Sequence, residues 1–249
     1  MKRILFTLKE KWSEYLLEIL VLIIGIYGAF ALENWNDSRL ERMEEIKVLN
    51  RVKNDLQNTI NEFEFLNGIR EKVLSGTRGI LEHASQRIYE KDEIDTLIGL
   101  TLYRPTFNNK MGTIDLLFST GKINIIKSDS IKNRLIIWPG SIDDTIEEEA
   151  YAMKLMQDHY YPKLAEYIYI QDLMKYSLGV SFFGGKIENK EEFSTIDIES
   201  DYEGLLNDKE FLNHLSMRAS HVQICNSEVN ELILQTQDII KLIDLELEK

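Results

Sequence analysis

Hydrophobic positions recur with a helical period along most of this chain. From Leu49 they advance by three and four residues through Val52, Leu56, Thr59, Phe63, Leu66, Arg70, Val73, Thr77, Ile80 and Ala84, with Thr59, Arg70 and Thr77 as polar interruptions. Side chains at this spacing share one face of an α-helix. The first proline is Pro105, so nothing obliges this helix to stop early, although Gly68, Gly76 and Gly79 predict a kink or break near its far end. The C-terminal stripe is more regular. Leu212, Leu215, Ala219, Val222, Asn226, Val229, Ile233, Thr236, Ile240, Ile243 and Leu247 keep the three-four spacing without a miss, which predicts a second long helix with a seam for a neighbour. Asn226 in that seam either sets register between copies or faces the polar edge of an intramolecular bundle.

The middle of the chain reads as a helical corner. A short helix over Thr113 to Thr120 stops at Gly121, a residue suited to the left-handed C-terminal cap, and an apolar connector runs from Ile123 to Ile126. Ser128 caps the next helix, with Asp129 in its first turn, where a negative charge suits the dipole. Trp138-Pro139-Gly140 predicts a kink or restart with Ser141 as a fresh cap, and the helix resumes through Ile142, Ile146, Ala150, Met153, Tyr160 and Leu164. From Tyr176 to Asp201, Gly179, Gly184, Gly185 and scattered acids predict the longest irregular loop.

One segment departs from the amphipathic pattern: Ile19 to Leu32 is an uncharged run between Glu18 and Glu33. Fourteen helical residues cover roughly 21 Å, short of a hydrocarbon core of about 30 Å, but a helix from Tyr15 to Leu32 reaches roughly 27 Å. Trp12, Tyr15 and Trp35 flank it where aromatic belts form. Lys2, Arg3, Lys9 and Lys11 precede it, so the positive-inside tendency places residues 1–14 in the cytoplasm, 15–32 in the membrane and 33–249 in the periplasm. A cleaved signal peptide is the alternative, since Ala29-Phe30-Ala31 has the form of a cleavage site. Glu10, Glu14 and Glu18 suit a signal peptide poorly and favour a retained anchor. A buried core helix is the third reading, because runs this short also occur inside soluble proteins. Glu18 marks an ion path or subunit contact, or simply reaches headgroup water one turn from Glu14. Gly25 and Ala29, with Gly28 beside them, form a small-xxx-small pair at which two copies of the helix could approach.

Composition sharpens this division. The chain of 249 residues carries 29 Lys+Arg and 42 Asp+Glu, a net charge of -13, and only 3 Pro and 13 Gly, which favours an all-α class over a many-stranded one. Residues 1–32 are net +1, so the acidity belongs to the remainder, where it disfavours nucleic acid and anionic lipid surfaces alike. The single cysteine, Cys225, forms no internal disulfide.

Three segments together resemble a family of uncharacterised bacterial single-pass membrane proteins. They are Glu18 with Ile24-Gly25-Ile26 and Asn34-Trp35-Asn36; the corner Ser119-Thr120-Gly121-Lys122-Ile123 followed by Ile126-Lys127-Ser128-Asp129; and Phe211-Leu212-Asn213 opening the last helix. The resemblance covers most of the chain and implies a topology, an N-terminal span with an exported helical domain, without implying a chemistry. Thr120, and the helix-interrupting Trp138-Pro139-Gly140, depart from the family's pattern.

Signatures of chemistry are absent. Gly179 to Ile187 lacks the hydroxyl and register of a phosphate loop, and His83, His159, His214 and His221 form no HExxH or Glu-x-x-His motif. His214 and His221 share a face off the apolar seam and read as solvated, as does the run Glu147-Glu148-Glu149. Six tyrosines lie between Tyr151 and Tyr176, of which Tyr160, Tyr161 and Tyr167 are candidates for a partner or ligand surface, although tyrosine also fills bundle cores. The expectation is therefore an all-α protein, a transmembrane helix continuing into an antiparallel bundle with long first and last helices. It is expected to be no enzyme, to need no cofactor or metal, and to act as a scaffold or accessory subunit partnered by the bilayer and by a second copy or another membrane protein. A ligand-sensing bundle with a small-molecule pocket near the Tyr-rich helix is the alternative.

Overall fold

The computed structural model describes residues 12–108, 112–171, 173 and 198–249. Its elements are α1 (Trp12–Gln86), α2 (Lys91–Thr101), α3 (Gly112–Ser119), a 3-10 turn (Lys122–Ile125), α4 (Asp129–Leu155), a π-helical turn (Met156–Tyr160), α5 (Tyr161–Ala165), α6 (Tyr202–Asn207) and α7 (Lys209–Leu247). The fold is all-α, with long first and last helices and no strand among the described residues. The loop expected over Tyr176 to Asp201 lies outside the described residues except for positions 198–201.

Side-chain pairs give the direction of each leg. Lys127 and Glu149 of the α4 leg bond Glu45 and Arg70 of α1, so the two helices run parallel. α7 returns antiparallel, with Glu246 at Arg42, Asn230 at Asn67 and Asn226 at Glu71. α2 and α3 form the other descending leg, which passes Leu97 at Gly76, Phe107 at Phe63 and Thr113 at Asp55.

The stripe of α1 is buried from Leu49 through Ile80, with Ala84 half-buried. The helix does not break at its glycines. A Cβ on Gly76 would lie 2.6 Å from the Leu97 carbonyl oxygen, and one on Gly79 would lie 2.7 Å from Leu97 Cδ2. These glycines let α2 approach closely instead of interrupting α1. Nor does α4 restart at Pro139, which lies inside a continuous helix. Trp138 is buried there and donates from Nε1 to Thr236 Oγ1 at 2.9 Å, while Leu135 and Ile142 pack on either side. Tertiary packing thus carries the helix across the hydrogen bond that proline removes. At the corner, Gly121 adopts φ 68°, as its cap role requires. Ser128 does occupy the N-cap position, but its hydroxyl makes no cap bond.

The seam of α7 needs a correction of one residue at alternate positions. Leu215, Val222, Val229, Thr236 and Ile243 are buried as the spacing requires, but their companions are Phe211, Arg218, Cys225, Leu232 and Ile239. Leu212, Ala219, Asn226, Ile233 and Ile240 are half-buried flanks. A helix wedged between α1 and α4 needs an apolar arc wider than a two-position seam. Asn226 donates to Glu71 of α1 at 3.1 Å, the intramolecular one of its two readings.

Among the described residues, two large apolar cores form, besides a small cluster of Val73, Leu74 and Val222. One runs from Leu49 to Leu66 on α1 and includes Trp138 and Ile243, and the other gathers Ile80, Ile94, Met156, Tyr160, Tyr202 and Phe211. Below the first core, α1 leaves the bundle at a polar collar in which buried Glu45 accepts from Arg42 Nη1 and the Lys127 N–H, both at 2.7 Å. Beyond the collar the helix is bare, first through the polar stretch Glu33 to Glu41 and then through the apolar run below it. Its most apolar 18-residue window has a mean hydropathy of 2.1 with none of it buried, and it is long and apolar enough to cross a membrane. Glu18, Gly25, Gly28, Ala29 and Trp35 all lie exposed on this part, and nothing approaches within 4 Å of a Cβ built on Gly25 or Gly28.

Candidate functional site

Between the two cores lies a polar layer built around two buried arginines. Arg70 occupies an apolar position of the α1 stripe and is 1% exposed. Its Nη2 donates to Glu149 Oε1, and its Nη1 donates to Asn67 Oδ1 at 2.8 Å. Glu149 Oε2 accepts the Phe107 N–H at 2.7 Å, so one ion pair ties α1, α4 and the descending α2–α3 connection. Burial pushes the Glu149 carboxyl above the usual carboxylate range, while the Phe107 N–H and Arg70 pull it down. Burial likewise lowers the Arg70 guanidinium against the attraction of Glu149. Beside the pair, burial pushes the Cys225 thiol up to about 12, leaving an inert thiol. Glu149 therefore corrects the solvated reading of Glu147-Glu148-Glu149. The signal was available, because Ile142, Thr145, Glu149 and Met156 continue a three-four-seven spacing on the buried face of α4.

The second arginine, Arg218 of α7, sits where α4 gives way to the π-helical turn. Its Nη2 donates to the Tyr103 carbonyl at 2.5 Å, and its guanidinium lies 6.0 Å from the centroid of the Tyr160 ring. Tyr160 is 1% exposed, and its hydroxyl meets Thr101 Oγ1 at 2.6 Å. Burial pushes that phenol up to about 12. Met156, His159, Tyr160, His214, Arg218 and His221 line a small cleft with room of about 20 Å³ for the centre of a water-sized sphere. The π turn sets His159 against His214, with ring centroids 5.2 Å apart and nearly parallel. Extra-residue turns of this kind are frequent at functional sites. His221 donates from Nδ1 to Glu148 at 2.9 Å and meets Tyr151 edge to face. His214 and His221 are thus half-buried cleft walls and not a solvated face.

The three candidate tyrosines do not converge. Tyr160 forms the inner wall of the cleft, and Tyr161 is half-buried beside it with ring centroids 6.2 Å apart. Tyr167 lies elsewhere, donating to Asp208 at 2.5 Å, the carboxylate that caps α7 by accepting the Glu210 and Phe211 N–H groups. Lys163 adds an ion pair to Asp208 at 2.9 Å. Among the described residues, no group of three His, Cys, Asp or Glu side chains is gathered as metal ligands require.

No curated protein and no solved structure matches this chain. A family model does, over residues 18–219, a stretch that begins at the glutamate of the apolar run, takes in the Gly121 corner and the Arg70–Glu149 pair, and ends one residue beyond Arg218. The chain belongs to that family, DUF6090, a family of unknown function.

Proposed function

We propose that this protein is a single-pass anchor of a bacterial inner membrane, with a short cytoplasmic tail, that holds an acidic helical bundle in the periplasm as a scaffold or accessory subunit. One observation carries this reading: the bare apolar segment and the core stripe belong to one uninterrupted helix, α1. A helix continuous across the collar transmits position and orientation rigidly from bilayer to bundle, as an anchored scaffold requires. Its partner is a second copy or another membrane protein, for which Gly25 and Gly28 leave a face of α1 open to close approach.

The experiment is fractionation followed by protease treatment of spheroplasts. The intact chain partitions with membranes, and external protease removes the bundle only after the outer membrane is opened. Recovery of the whole chain in the soluble cytoplasm would sink the reading, and a mature N-terminus near Ala31 would replace the anchor by a cleaved leader. A second reading, a ligand-sensing bundle near the Tyr-rich helix, draws support from the cleft at the π turn. Crosslinking of detergent-solubilised protein separates the two. Scaffolding predicts a stable oligomer or captured membrane partner, whereas sensing predicts a ligand-dependent change in the bundle.

A further inference from the structure

Arg218 is 8% exposed and, among the described residues, has no carboxylate partner. Its Nε is buried without any hydrogen-bond partner. A buried guanidinium left without a counter-charge is unfavourable, and one carbonyl oxygen with one aromatic face compensates it only in part. The carboxylates that meet the cleft's histidines are engaged with other cations or rings. Glu148 accepts from His221 at 2.9 Å, and Glu210 meets Lys163 at 3.2 Å and His214 at 3.8 Å. The same cation lines the cleft, together with the stacked rings of His159 and His214.

We propose that this cleft binds a small oxyanion, a phosphate or carboxylate group, with Arg218 as its charge partner and the imidazoles of His159 and His214 as flanking donors. The guanidinium fork suits such a group, because two N–H groups can meet two oxygens of one planar or tetrahedral anion. The narrow space favours the head group over a bulky body. This site goes beyond the anchored-scaffold reading and is independent of membrane topology.

Calorimetric titration of the full-length chain in detergent tests it, with sodium phosphate and sodium acetate as separate probes. Sodium chloride at matched ionic strength is the reference. Saturable binding of phosphate alone assigns an inorganic or phosphoryl ligand, and saturable binding of acetate alone assigns an organic carboxylate. Arg218→Lys and His214→Gln each weaken the bound probe by about tenfold or more, whereas Arg51→Met, at an exposed position, leaves binding unchanged. If Arg218→Lys does not fold, His214→Gln decides. Absence of saturable binding of either probe to the folded wild-type chain overturns the proposal. Equal affinity in the wild type and both cleft variants overturns it as well.

Discussion

Arg70 and Arg218 are the same side chain buried in the same bundle, yet their surroundings differ. Arg70 has a carboxylate, an amide oxygen and a closed wall of apolar neighbours, while Arg218 has a backbone carbonyl, a ring face and an open cleft. They sit near one another along the bundle axis, since Cys225, which feels the charge of Arg70, lies seven residues or roughly 10 Å along α7 from Arg218. The difference separates a charge used to tie helices together from a charge left to meet something from outside. Removing a partner should therefore cost much at the first site and little at the second.

The largest effect belongs to Glu149→Leu. It strands the Arg70 guanidinium, which cannot release its proton, and orphans the Phe107 N–H. Breaking a buried pair from one side costs about 3–5 kcal/mol. In a chain of this size that lowers the melting temperature by roughly 6–20 °C, readable by circular dichroism in detergent. The double variant Arg70→Met with Glu149→Leu should recover most of the loss, because two apolar side chains of similar volume need no partner. A single variant within about 1 kcal/mol of wild type would show that the pair is not the tie described here.

Arg70→Met comes next and costs less, because the carboxyl it strands can neutralise itself. Glu149 already stands above its ordinary 4.5 through burial, and losing Arg70 removes an attraction that holds it down. A carboxyl whose folded pKa is raised above its unfolded value contributes stability below the unfolded pKa and loses it as pH rises through the folded one. The variant should therefore gain on wild type as the pH is lowered from neutral toward 4.5. Melting curves across that window check this, and a gap independent of pH would show that Glu149 stays ionised in the variant.

The contrast between the arginines also marks what was legible along the chain. The stripe of α1, the corner at Gly121 and the long last helix follow from spacing alone, because burial of one helix face has a period that sequence displays. The polar layer does not. Arg70 stood visibly at a core position, but its partner lay inside an acidic run whose members point in different directions, and the spacing through Thr145 that singles out Glu149 competes with the one through Ile146 and Ala150. Gly76 and Gly79 misled for a related reason, since a missing side chain looks the same whether it weakens a helix or admits a neighbour. Arg218 fell one residue off the seam traced through Ala219, and the cleft depends on a π turn that has no periodic signature. The bare segment was the easiest to read, because fourteen consecutive uncharged residues require no partner to be recognised.

Arg218→Met tests the other side of the comparison. The substitution strands the Tyr103 carbonyl, a loss of about 1–3 kcal/mol, but relieves a desolvated charge, so the net cost should not exceed about 2 kcal/mol. Urea unfolding of this variant beside Glu149→Leu gives the comparison directly. Equal losses would mean that Arg218 is as much a tie as Arg70.

Tyr160→Phe is the smallest and most discriminating change. Thr101 Oγ1 bonds the Ile98 carbonyl oxygen at 2.7 Å, so its own proton is engaged and the Tyr160 hydroxyl is the donor in their contact. Removing that hydroxyl deletes one neutral hydrogen bond while leaving Thr101 with a partner, a loss of about 0.5–1.5 kcal/mol by unfolding. The ring beneath Arg218 survives, and with it the cation–π contact at 6.0 Å. Anion affinity measured by titration should therefore stay within about twofold of wild type, a difference of a few tenths of a kcal/mol. A large loss of affinity with little loss of stability would instead make the phenol a direct contact of the bound anion and move the centre of the site from Arg218 toward the π turn.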